Sequence, residues 1–365
     1  MFEPRFTLIP KIAKALMAIE ADRQAVAGLP ITAPMLDSLR RTAQLLATHY
    51  STQIEGNRLS RLQVESVIAG EGRFPGRERD EAEVRHYFAA LEFVERAASD
   101  ATPISETLVR TIHGLVMTGR AKPTRYRAGQ NVIRDARTGR TVYLPPEAHD
   151  VPKLMKELVA WIRAALALAE WPAPIIAGLA HYQFATIHPY FDGNGRTARL
   201  LTNLILHCSG YGLKGIYSLE EYYSTNLDGY YSGLAVGSGH NYYSGRAEAD
   251  VTGFLEYFCT GMTEAFGHVR QRAEEASRVP SPEQSAILRA LTPQQRRVLG
   301  LFQRSRVATS KMLAAFFRIT PRAAGMLCRK WTTVGFLVVE DSSTKSRSYR
   351  LAPNYETLVG VGRVD

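Results

Sequence analysis

The chain has 365 residues, of which 45% are hydrophobic and 22% are charged, and its formal net charge is +10. This amount of apolar material can fill one or two domain cores, so the composition excludes a small disulfide-stapled protein and a disordered chain. The three cysteines lie far apart and form no Cys-x-x-Cys pair, which excludes a disulfide framework and a thiolate zinc site and favours a reducing, cytoplasmic setting.

The first half of the chain carries apolar residues at helical spacing. The predicted helices are 9–28, 35–54, 60–69, 81–98, 105–117 and 152–168. Ser105, directly before Glu106, is a typical N-cap residue. We therefore expect a mainly α-helical body.

One segment departs from this helical pattern. Residues 130–133 and 141–144 are β-prone runs, and the residues between them, 135–139, favour a turn. The sequence predicts a β-hairpin at about residues 130–145, which we call the flap.

Two strongly apolar helices follow, at about 175–187 and 196–208, and both should be buried. The apolar stretch around 164–180 is interrupted by Glu170 and two prolines, and the N-terminus lacks the pattern of a secretion signal, so we expect neither a membrane span nor secretion. Between the two helices lies HPYFDGNGRTAR, a polar, glycine-rich segment that we call the 188–199 loop. A polar loop between two core helices costs stability, which indicates a function.

The second half of the 188–199 loop has the residue types of an anion site. Gly193, Asn194 and Gly195 begin a helix, where backbone N–H groups bind anions. Arg196 and Arg199 follow at i, i+3, and their forked guanidinium groups suit phosphate oxygens.

The first half of the loop adds two further groups. Asp192 is a hard oxygen ligand that suits Mg²⁺ held between protein and phosphate. His188 titrates near neutral pH and can take a proton from a hydroxyl group. The combination predicts phosphoryl or nucleotidyl transfer.

The pattern changes again near residues 276–286, where Ser and Pro interrupt the helices. A capping box at 292–295 opens a helix, and helices at about 310–317 and 320–331 and strands at about 336–340 and 346–351 follow. Three helices followed by a hairpin match a winged helix-turn-helix, with the third helix as the reader.

The basic charge is concentrated in this last part. Residues 281–365 hold 14 Lys and Arg against 5 Asp and Glu, a net charge of +9. Such asymmetry favours nucleic-acid binding, while protein docking or dimerisation stays open as the alternative. The candidate DNA-contacting residues are Arg322, Arg329 and Lys330 on the third helix and Lys345, Arg347 and Arg350 on the hairpin.

From His188 to Arg199 the chain resembles the Fic/Doc family, whose signature His-Pro-Phe/Tyr-x-Asp/Glu-Gly-Asn-Gly-Arg-x-x-Arg is matched at every defining position. The resemblance covers about residues 5–265. It implies an N-terminal helical region (1–100), a Fic core (101–275) and a winged helix-turn-helix domain (285–365). Most members with an intact motif transfer AMP from ATP to a Ser, Thr or Tyr hydroxyl of a target protein and release diphosphate.

The resemblance also implies a role for each site residue. His188 would be the general base and Asp192 the ligand of Mg²⁺ or Mn²⁺. Pro189, Tyr190 and Phe191 would anchor the loop from below. The expected phosphate-binding residues are Gly193, Asn194, Gly195, Arg196 and Arg199. The flap would align the target by strand addition, through Val132 and Ile133 or through Thr141 and Val142. Tyr230 and Tyr231 resemble tyrosines that line the adenine side, with two core aromatic residues as the alternative.

A second motif of the family lies at about residues 40–56. Ser51, Glu55 and Gly56 fit the inhibitory pattern Ser/Thr-x-x-x-Glu-Gly/Asn. One helical turn separates Ser51 from Glu55, so both side chains lie on the same face of the helix. The resemblance implies that Glu55 pairs with Arg199 and occupies the guanidinium that the γ-phosphate of ATP needs. We expect the resting enzyme to be inhibited.

The residues leave several interpretations open. The chain is expected to be an autoinhibited protein adenylyltransferase that also modifies itself. The alternatives are a DNA-bound nucleotide-sensing regulator with little turnover, removal of AMP by the same site, or transfer of another phosphate-containing group. The target protein is not readable from the sequence, and a homodimer stays open because Fic cores often pair.

Overall fold

The structure is a computed structural model that describes residues 2–29, 33–134, 139, 141–236, 240–277, 287, 290–302, 305–317, 319–341, 343, 347–356 and 358–359. The chain divides into two compact units, Met1–Glu274 and Glu275–Asp365. The first unit holds both the predicted N-terminal helical region and the predicted core. Within the described ranges, no helix is long and apolar enough to span a membrane.

The first unit is mainly helical. Its described helices are α1 (Pro10–Gly28), α2 (Ala33–Ile54), α3 (Arg61–Ile68), α4 (Glu78–Ser99), α5 (Glu106–Thr118), α6 (Val151–Leu168), α7 (Ala173–Ile187), α8 (Asn194–Cys208), α9 (Glu220–Thr225), α10 (Leu227–Leu234) and α11 (Thr252–Ser277). The structure confirms the helices predicted before the flap, the helix at 152–168 and the two apolar helices. The observed bounds differ from the predicted ones by only a few residues. The helices α9, α10 and α11 were not predicted.

Local sequence explains where these helices begin and which faces they bury. The Ser105 side chain accepts a hydrogen bond from the backbone N–H of Leu108 (3.1 Å) and caps α5, as predicted. Helix α7 packs against α6 and α8, and it is buried along nearly its whole length, as its apolar sequence predicted. The 188–199 loop therefore leaves the core between α7 and α8.

The flap is present as two short antiparallel strands, β1 (Ile133–Arg134) and β2 (Thr141–Tyr143), with Ile133 opposite Tyr143. Its predicted turn lies largely outside the described residues. Residues 240–242 cover the other edge of β2, because Leu144 forms a parallel bridge with Asn241 and the His240 ring donates to the Val142 carbonyl (2.9 Å). Among the described residues no strand pairs with the outer edge of β1, so β1 is the open edge of the flap.

The second unit contains helices and a small sheet in the predicted order. Its described elements are α12 (Pro293–Phe302), β3 (Ala308–Thr309), α13 (Ser310–Phe317), α14 (Pro321–Thr333), β4 (Leu337–Asp341), β5 (Ser348–Leu351) and α15 (Pro353–Glu356). The sheet is antiparallel with strand order β3-β5-β4, and β3 was not predicted. The predicted capping box is confirmed, since Thr292 and Gln295 exchange hydrogen bonds. The winged helix-turn-helix assignment stays a prediction.

Candidate active site

His188 ends α7 in a left-handed backbone conformation (φ 50°), which turns its side chain out of the helix. Such a conformation is unfavourable for a residue with a Cβ and is kept where the surrounding structure enforces it. The backbone N–H of His188 still donates to the Phe184 carbonyl (3.0 Å), so the residue closes the helix while it starts the loop.

The surroundings of His188 set its protonation state. Its Nδ1 lies 3.3 Å from the Ala185 carbonyl, which can only accept, so Nδ1 carries the hydrogen and Nε2 has the free lone pair. Burial lowers the pKa of His188 to about 4, with the Arg127 guanidinium acting in the same direction and the Ala185 carbonyl and the Glu55 and Asp192 carboxylates opposing it. The imidazole is therefore neutral at pH 7 and can accept a proton at Nε2.

Arg127, a residue that the sequence analysis missed, holds the backbone around His188. Its Nε donates to the His188 carbonyl (3.0 Å), and its backbone N–H donates to the Pro189 carbonyl (2.9 Å). The same guanidinium donates to the carbonyls of Gly129 and Pro146 on the two sides of the flap. One buried arginine thus connects the base of the flap to the start of the loop.

The middle of the loop is held by stacking and by a side-chain amide. The Tyr190 ring stacks on His113 of α5 with centroids 3.4 Å apart. The Asn194 side chain accepts a hydrogen bond from the Tyr190 N–H at Oδ1 (3.0 Å) and donates one from Nδ2 to the Tyr190 carbonyl (2.8 Å). These two hydrogen bonds close the loop on itself. Phe191 departs from the prediction, because its side chain is 62% exposed and cannot anchor the loop from below.

The loop ends in a tight turn onto α8. Gly193 has φ +76°, and a Cβ there would lie 2.7 Å from Met117 Sδ, so both conformation and space require glycine. The His113 Nε2–H donates to the Asp192 carbonyl (2.9 Å), and the Gly193 N–H donates to Asp192 Oδ1 (2.6 Å). His113 was also missed, since a histidine in an amphipathic helix gives no signal of what it faces.

Arg196 is buried and lies between two carboxylates. Its Nη1 is 2.5 Å from Glu83 Oε1 on α4, and its Nη2 is 2.9 Å from Asp192 Oδ1. Both terminal nitrogens are therefore engaged in this structure, and the phosphate-binding role of Arg196 stays a prediction. Glu83, which no motif marks, is the third site residue that the sequence analysis missed.

Arg199 is 1% exposed and contacts the end of α2. Its Nε donates to Ser51 Oγ (2.8 Å), and its Nη2 donates to the Ser51 carbonyl (2.9 Å) and to Glu55 Oε1 (2.8 Å). The structure thus places the residues of the second motif against the last arginine of the loop. Gly56 follows with φ +92°, where the chain turns away from α2.

The Glu55 carboxylate also lies at the N-terminus of α8. A Cβ built on Gly195 would overlap Glu55 Oε1 and lie 3.1 Å from Arg199 Nη1. The first turn of a helix offers unpaired N–H groups and a positive dipole end, so it attracts anions. Glu55 therefore occupies the place where the sequence predicted a phosphate.

The two tyrosines of the predicted adenine side have different surroundings. Tyr230 is 2% exposed, its hydroxyl bonds His181 Nε2 (2.8 Å), and its ring stacks on Tyr223. Tyr231 is 50% exposed. Tyr230 is thus a core aromatic residue, and Tyr231 is the one of the pair whose ring is open to a ligand.

The flap residues named by the sequence lie on both strands. Val132, Thr141 and Val142 are exposed, and Ile133 is half-buried. The Asn131 amide donates to the Tyr190 carbonyl (3.2 Å), which connects β1 to the 188–199 loop. The segment that leads into β1 therefore lies against the loop.

Only some of the candidate DNA-contacting residues of the second unit have side chains that are exposed and unpaired in the part of the chain that the structure describes. Arg322, Arg329 and Lys330 are exposed on α14, opposite its buried residues. Arg347 is also exposed, but Arg350 pairs with Glu340 (2.6 Å) and with a second carboxylate. Lys345 lies outside the described residues.

The described side chains include no group of three or more His, Cys, Asp or Glu that could hold a metal ion by themselves. Asp192 nevertheless fits Mg²⁺ in its donor chemistry, because its side chain is 52% exposed and its Oδ1 accepts the hydrogen bonds from both Gly193 and Arg196. Mg²⁺ is commonly bound by one or two carboxylates together with substrate phosphates. The donor set suits a cation that arrives with a nucleotide.

Residues 103–206 match the Fic/DOC family. Among curated proteins, the chain is 32% identical over 195 residues to protein adenylyltransferase fic-1 of Caenorhabditis elegans (52% of this chain, 37% of the relative). It is 26% identical over 202 residues to protein adenylyltransferase Fic of Drosophila willistoni (54% and 39%). The chain thus spans less than half the length of these relatives.

Solved structures share the fold. A Fic family protein from Desulfovibrio desulfuricans G20 aligns with a TM-score of 0.63 at 24% identity, over 96% of this chain and 99% of that one. Fic-1 from C. elegans (residues 134–508) aligns with a TM-score of 0.55 at 26% identity, over 73% and 72%.

Proposed function

We propose that this chain, which carries a Fic/DOC domain at residues 103–206, is a protein adenylyltransferase that moves AMP from ATP to a hydroxyl group of a target protein. The observation that carries the proposal is the placement of His188, whose Nδ1 lies on the Ala185 carbonyl and leaves Nε2 as the acceptor, on the same loop as the N-terminus of α8. The curated relatives named protein adenylyltransferase support the reaction class.

The chemistry follows from these groups. His188 Nε2 takes the proton of a Ser, Thr or Tyr hydroxyl of the target while the oxygen of that hydroxyl attacks the α-phosphorus of ATP. The new O–P bond replaces the bond between the α-phosphorus and its bridging oxygen, and diphosphate leaves. A neutral imidazole is needed for this role, because a protonated ring has no lone pair to offer.

The start of α8 would bind the leaving phosphates. The N–H groups of Asn194 and Gly195 at the helix start and the Arg199 guanidinium are suited to phosphate oxygens. Mg²⁺ or Mn²⁺ held by Asp192 would neutralise part of the phosphate charge. Arg196 holds Asp192 in place in this structure rather than offering a free guanidinium.

Glu55 would keep the resting enzyme inactive. Its carboxylate lies against Gly195 and pairs with Arg199, so a bound anion already occupies the position that a phosphate needs. ATP must displace this carboxylate or bind with its phosphates misplaced for in-line attack. The contact therefore supports autoinhibition by the segment that ends α2.

The open edge of β1 would align the target segment. An extended peptide can pair with an exposed strand edge through its backbone, which fixes its position with little demand on its sequence. The His240 ring already occupies the Val142 carbonyl and Leu144 is bridged to Asn241, so the edge of β2 is partly occupied, which supports pairing through Ile133.

Mass spectrometry of intact protein tests the proposal. Wild type, Glu55→Gly and Glu55→Gly/His188→Ala are incubated with ATP and Mg²⁺, and added AMP is measured on the chain itself and on proteins of a cell extract. We expect an adduct with Glu55→Gly and none with the double variant. Absence of any adduct, together with release of AMP from a premodified protein, would instead assign AMP removal to this site.

DNA binding by the second unit is a second candidate function, which the exposed Arg322, Arg329 and Lys330 on α14 favour. Phosphate contacts make such binding strongly salt-dependent. We expect Arg322→Ala/Arg329→Ala to weaken binding of duplex DNA and to reduce the slope of log affinity against log salt by about 2. A wild-type chain that binds no duplex at low salt would favour protein docking.

A further inference from the structure

We propose that Glu83 is a positioning residue that fixes the Asp192 carboxylate through the side chain of Arg196, and that it thereby sets how tightly the site binds a divalent cation together with ATP. The inference rests on the proposed function, because it takes Asp192 as the ligand of that cation. Glu83 lies outside both sequence motifs.

The three side chains form a continuous chain of contacts. Glu83 Oε1 is 2.5 Å from Arg196 Nη1, and Arg196 Nη2 is 2.9 Å from Asp192 Oδ1. The Gly193 N–H donates to the same oxygen (2.6 Å). Among the described residues Asp192 Oδ2 has no hydrogen-bond donor, so the carboxylate is held by one oxygen and presents the other.

Glu83 is itself held from its other side. Asn57, two residues after Glu55, donates from its amide to Glu83 Oε2 (3.0 Å) and to the Asp80 carbonyl (3.0 Å). Its Oδ1 accepts from the Leu59 N–H (3.1 Å), which fixes the orientation of the amide. Both oxygens of Glu83 therefore have a defined partner, and the side chain has one favoured position.

Charge and burial predict the effect of removing Glu83. Arg196 is 7% exposed at its side chain, so it cannot exchange a lost acceptor for bulk water. The nearest remaining acceptor is Asp192, and a guanidinium binds a carboxylate best with two parallel hydrogen bonds. A bidentate pair would withdraw Oδ2 from the cation. Loss of Glu83 should therefore weaken cation binding rather than strengthen phosphate binding by Arg196.

Burial raises the pKa of Glu83, and the Arg196 guanidinium opposes this rise. The two groups therefore stabilise each other's charged forms inside the domain. Substitution by alanine leaves a buried arginine with one carboxylate, whereas glutamine keeps an oxygen that can accept from Nη1. The glutamine variant should recover much of the wild-type behaviour.

The test compares variants in the Glu55→Gly background of the full chain. Free Mn²⁺ is titrated by electron paramagnetic resonance in the presence of ATP, with Glu83→Ala, Glu83→Gln and Glu81→Ala. Glu81 is the matched control, because it is a buried carboxylate on the same helix that pairs with Arg85 (3.2 Å) away from the loop. We expect the Mn²⁺ concentration for half-saturation to rise about tenfold in Glu83→Ala, less in Glu83→Gln, and not at all in Glu81→Ala.

Each outcome decides between support and refutation. Unchanged or tighter Mn²⁺ binding in Glu83→Ala would overturn the inference and leave the proposed function intact. An equal loss in Glu83→Ala and Glu81→Ala would show a general loss of structure and would also overturn it. If the parent Glu55→Gly binds no Mn²⁺ with ATP, the assignment of Asp192 as a ligand fails, and the role of Glu83 fails with it, whereas AMP transfer itself is judged by the adduct experiment.

Discussion

Removal of the Glu55 carboxylate is the perturbation whose effect the structure defines best. Glu55→Gly takes away the hydrogen bond from Arg199 Nη2 and opens the space beside Gly195. The two hydrogen bonds from Arg199 to Ser51 remain, so the guanidinium keeps its position. We expect the substitution to raise the rate of self-modification with ATP without disordering the arginine.

The size of the effect follows from the burial of the pair. Arg199 is buried and the Glu55 side chain is 27% exposed, so the pair is partly screened by solvent. A hydrogen bond between charged groups contributes about 1.5–3 kcal/mol, and we take about 2 kcal/mol for this one. Because about 1.4 kcal/mol corresponds to a factor of ten, the competent fraction should rise about 30-fold. The initial rate of self-modification at low ATP should rise by a similar factor.

The assay is incorporation of labelled AMP into purified protein during the first minutes, over a series of ATP concentrations. Glu55→Gln keeps the side-chain volume beside Gly195 but removes the charge, so we expect a smaller increase. Gln53→Gly is a control for backbone flexibility, because it places a glycine in the last turn of α2, two residues before Glu55, and leaves the carboxylate, although it also removes the hydrogen bond from Ser224 Oγ to Gln53 Oε1 (3.0 Å). A rate for Glu55→Gly within about threefold of wild type, or an equal increase in Gln53→Gly, would refute the reasoning.

Further predictions concern pH, space and positioning. Because burial lowers the pKa of His188 to about 4, the labelling rate of Glu55→Gly should be constant from pH 8 to pH 6 and fall as the pH approaches 4; an inflection near pH 7 would contradict a base with that pKa. Burial also lowers the pKa of His181 to about 3, below the value of about 6.5 in an unfolded chain. The unfolded chain therefore binds a proton more readily than the folded one, and the melting temperature should fall as the pH drops from 6.5 towards 4. A melting temperature that is flat over this range would contradict a pKa lowered by burial. Gly195→Ala in the Glu55→Gly background should weaken ATP binding in calorimetry, because the new Cβ lies 3.1 Å from Arg199 Nη1 and narrows the space beside the N-terminus of α8; binding unchanged from the parent would place the phosphates elsewhere. Arg127→Lys in the Glu55→Gly background should lower the labelling rate at least about tenfold, on the order of 1.4 kcal/mol. The reason is that one ammonium group cannot replace the hydrogen bonds of the guanidinium to the loop and to both sides of the flap. A labelling rate equal to that of Glu55→Gly would exclude a positioning role for Arg127.

Several features of the protein were readable from sequence because local pattern encodes them. Helical periodicity identified the helices around the site, since burial of one face repeats every three to four residues. The 188–199 loop was recognisable because its residues are contiguous and chemically unusual together. Ser51 and Glu55 were recognisable only through the inhibitory pattern of the family that the chain resembles, and the structure places both on Arg199, 148 and 144 residues away in the sequence.

Tertiary structure alone decided which distant side chains support the loop and which candidates are available. Arg127 contacts His188 across 61 residues, and His113 contacts Asp192 across 79, distances at which no periodicity carries information. Burial likewise separated Tyr230 from Tyr231, because adjacent positions on a short helix face different surroundings. Local sequence thus specified the helices and the candidate groups of the 188–199 loop, whereas packing of separate helices set the orientation, the protonation and the contacts of those groups.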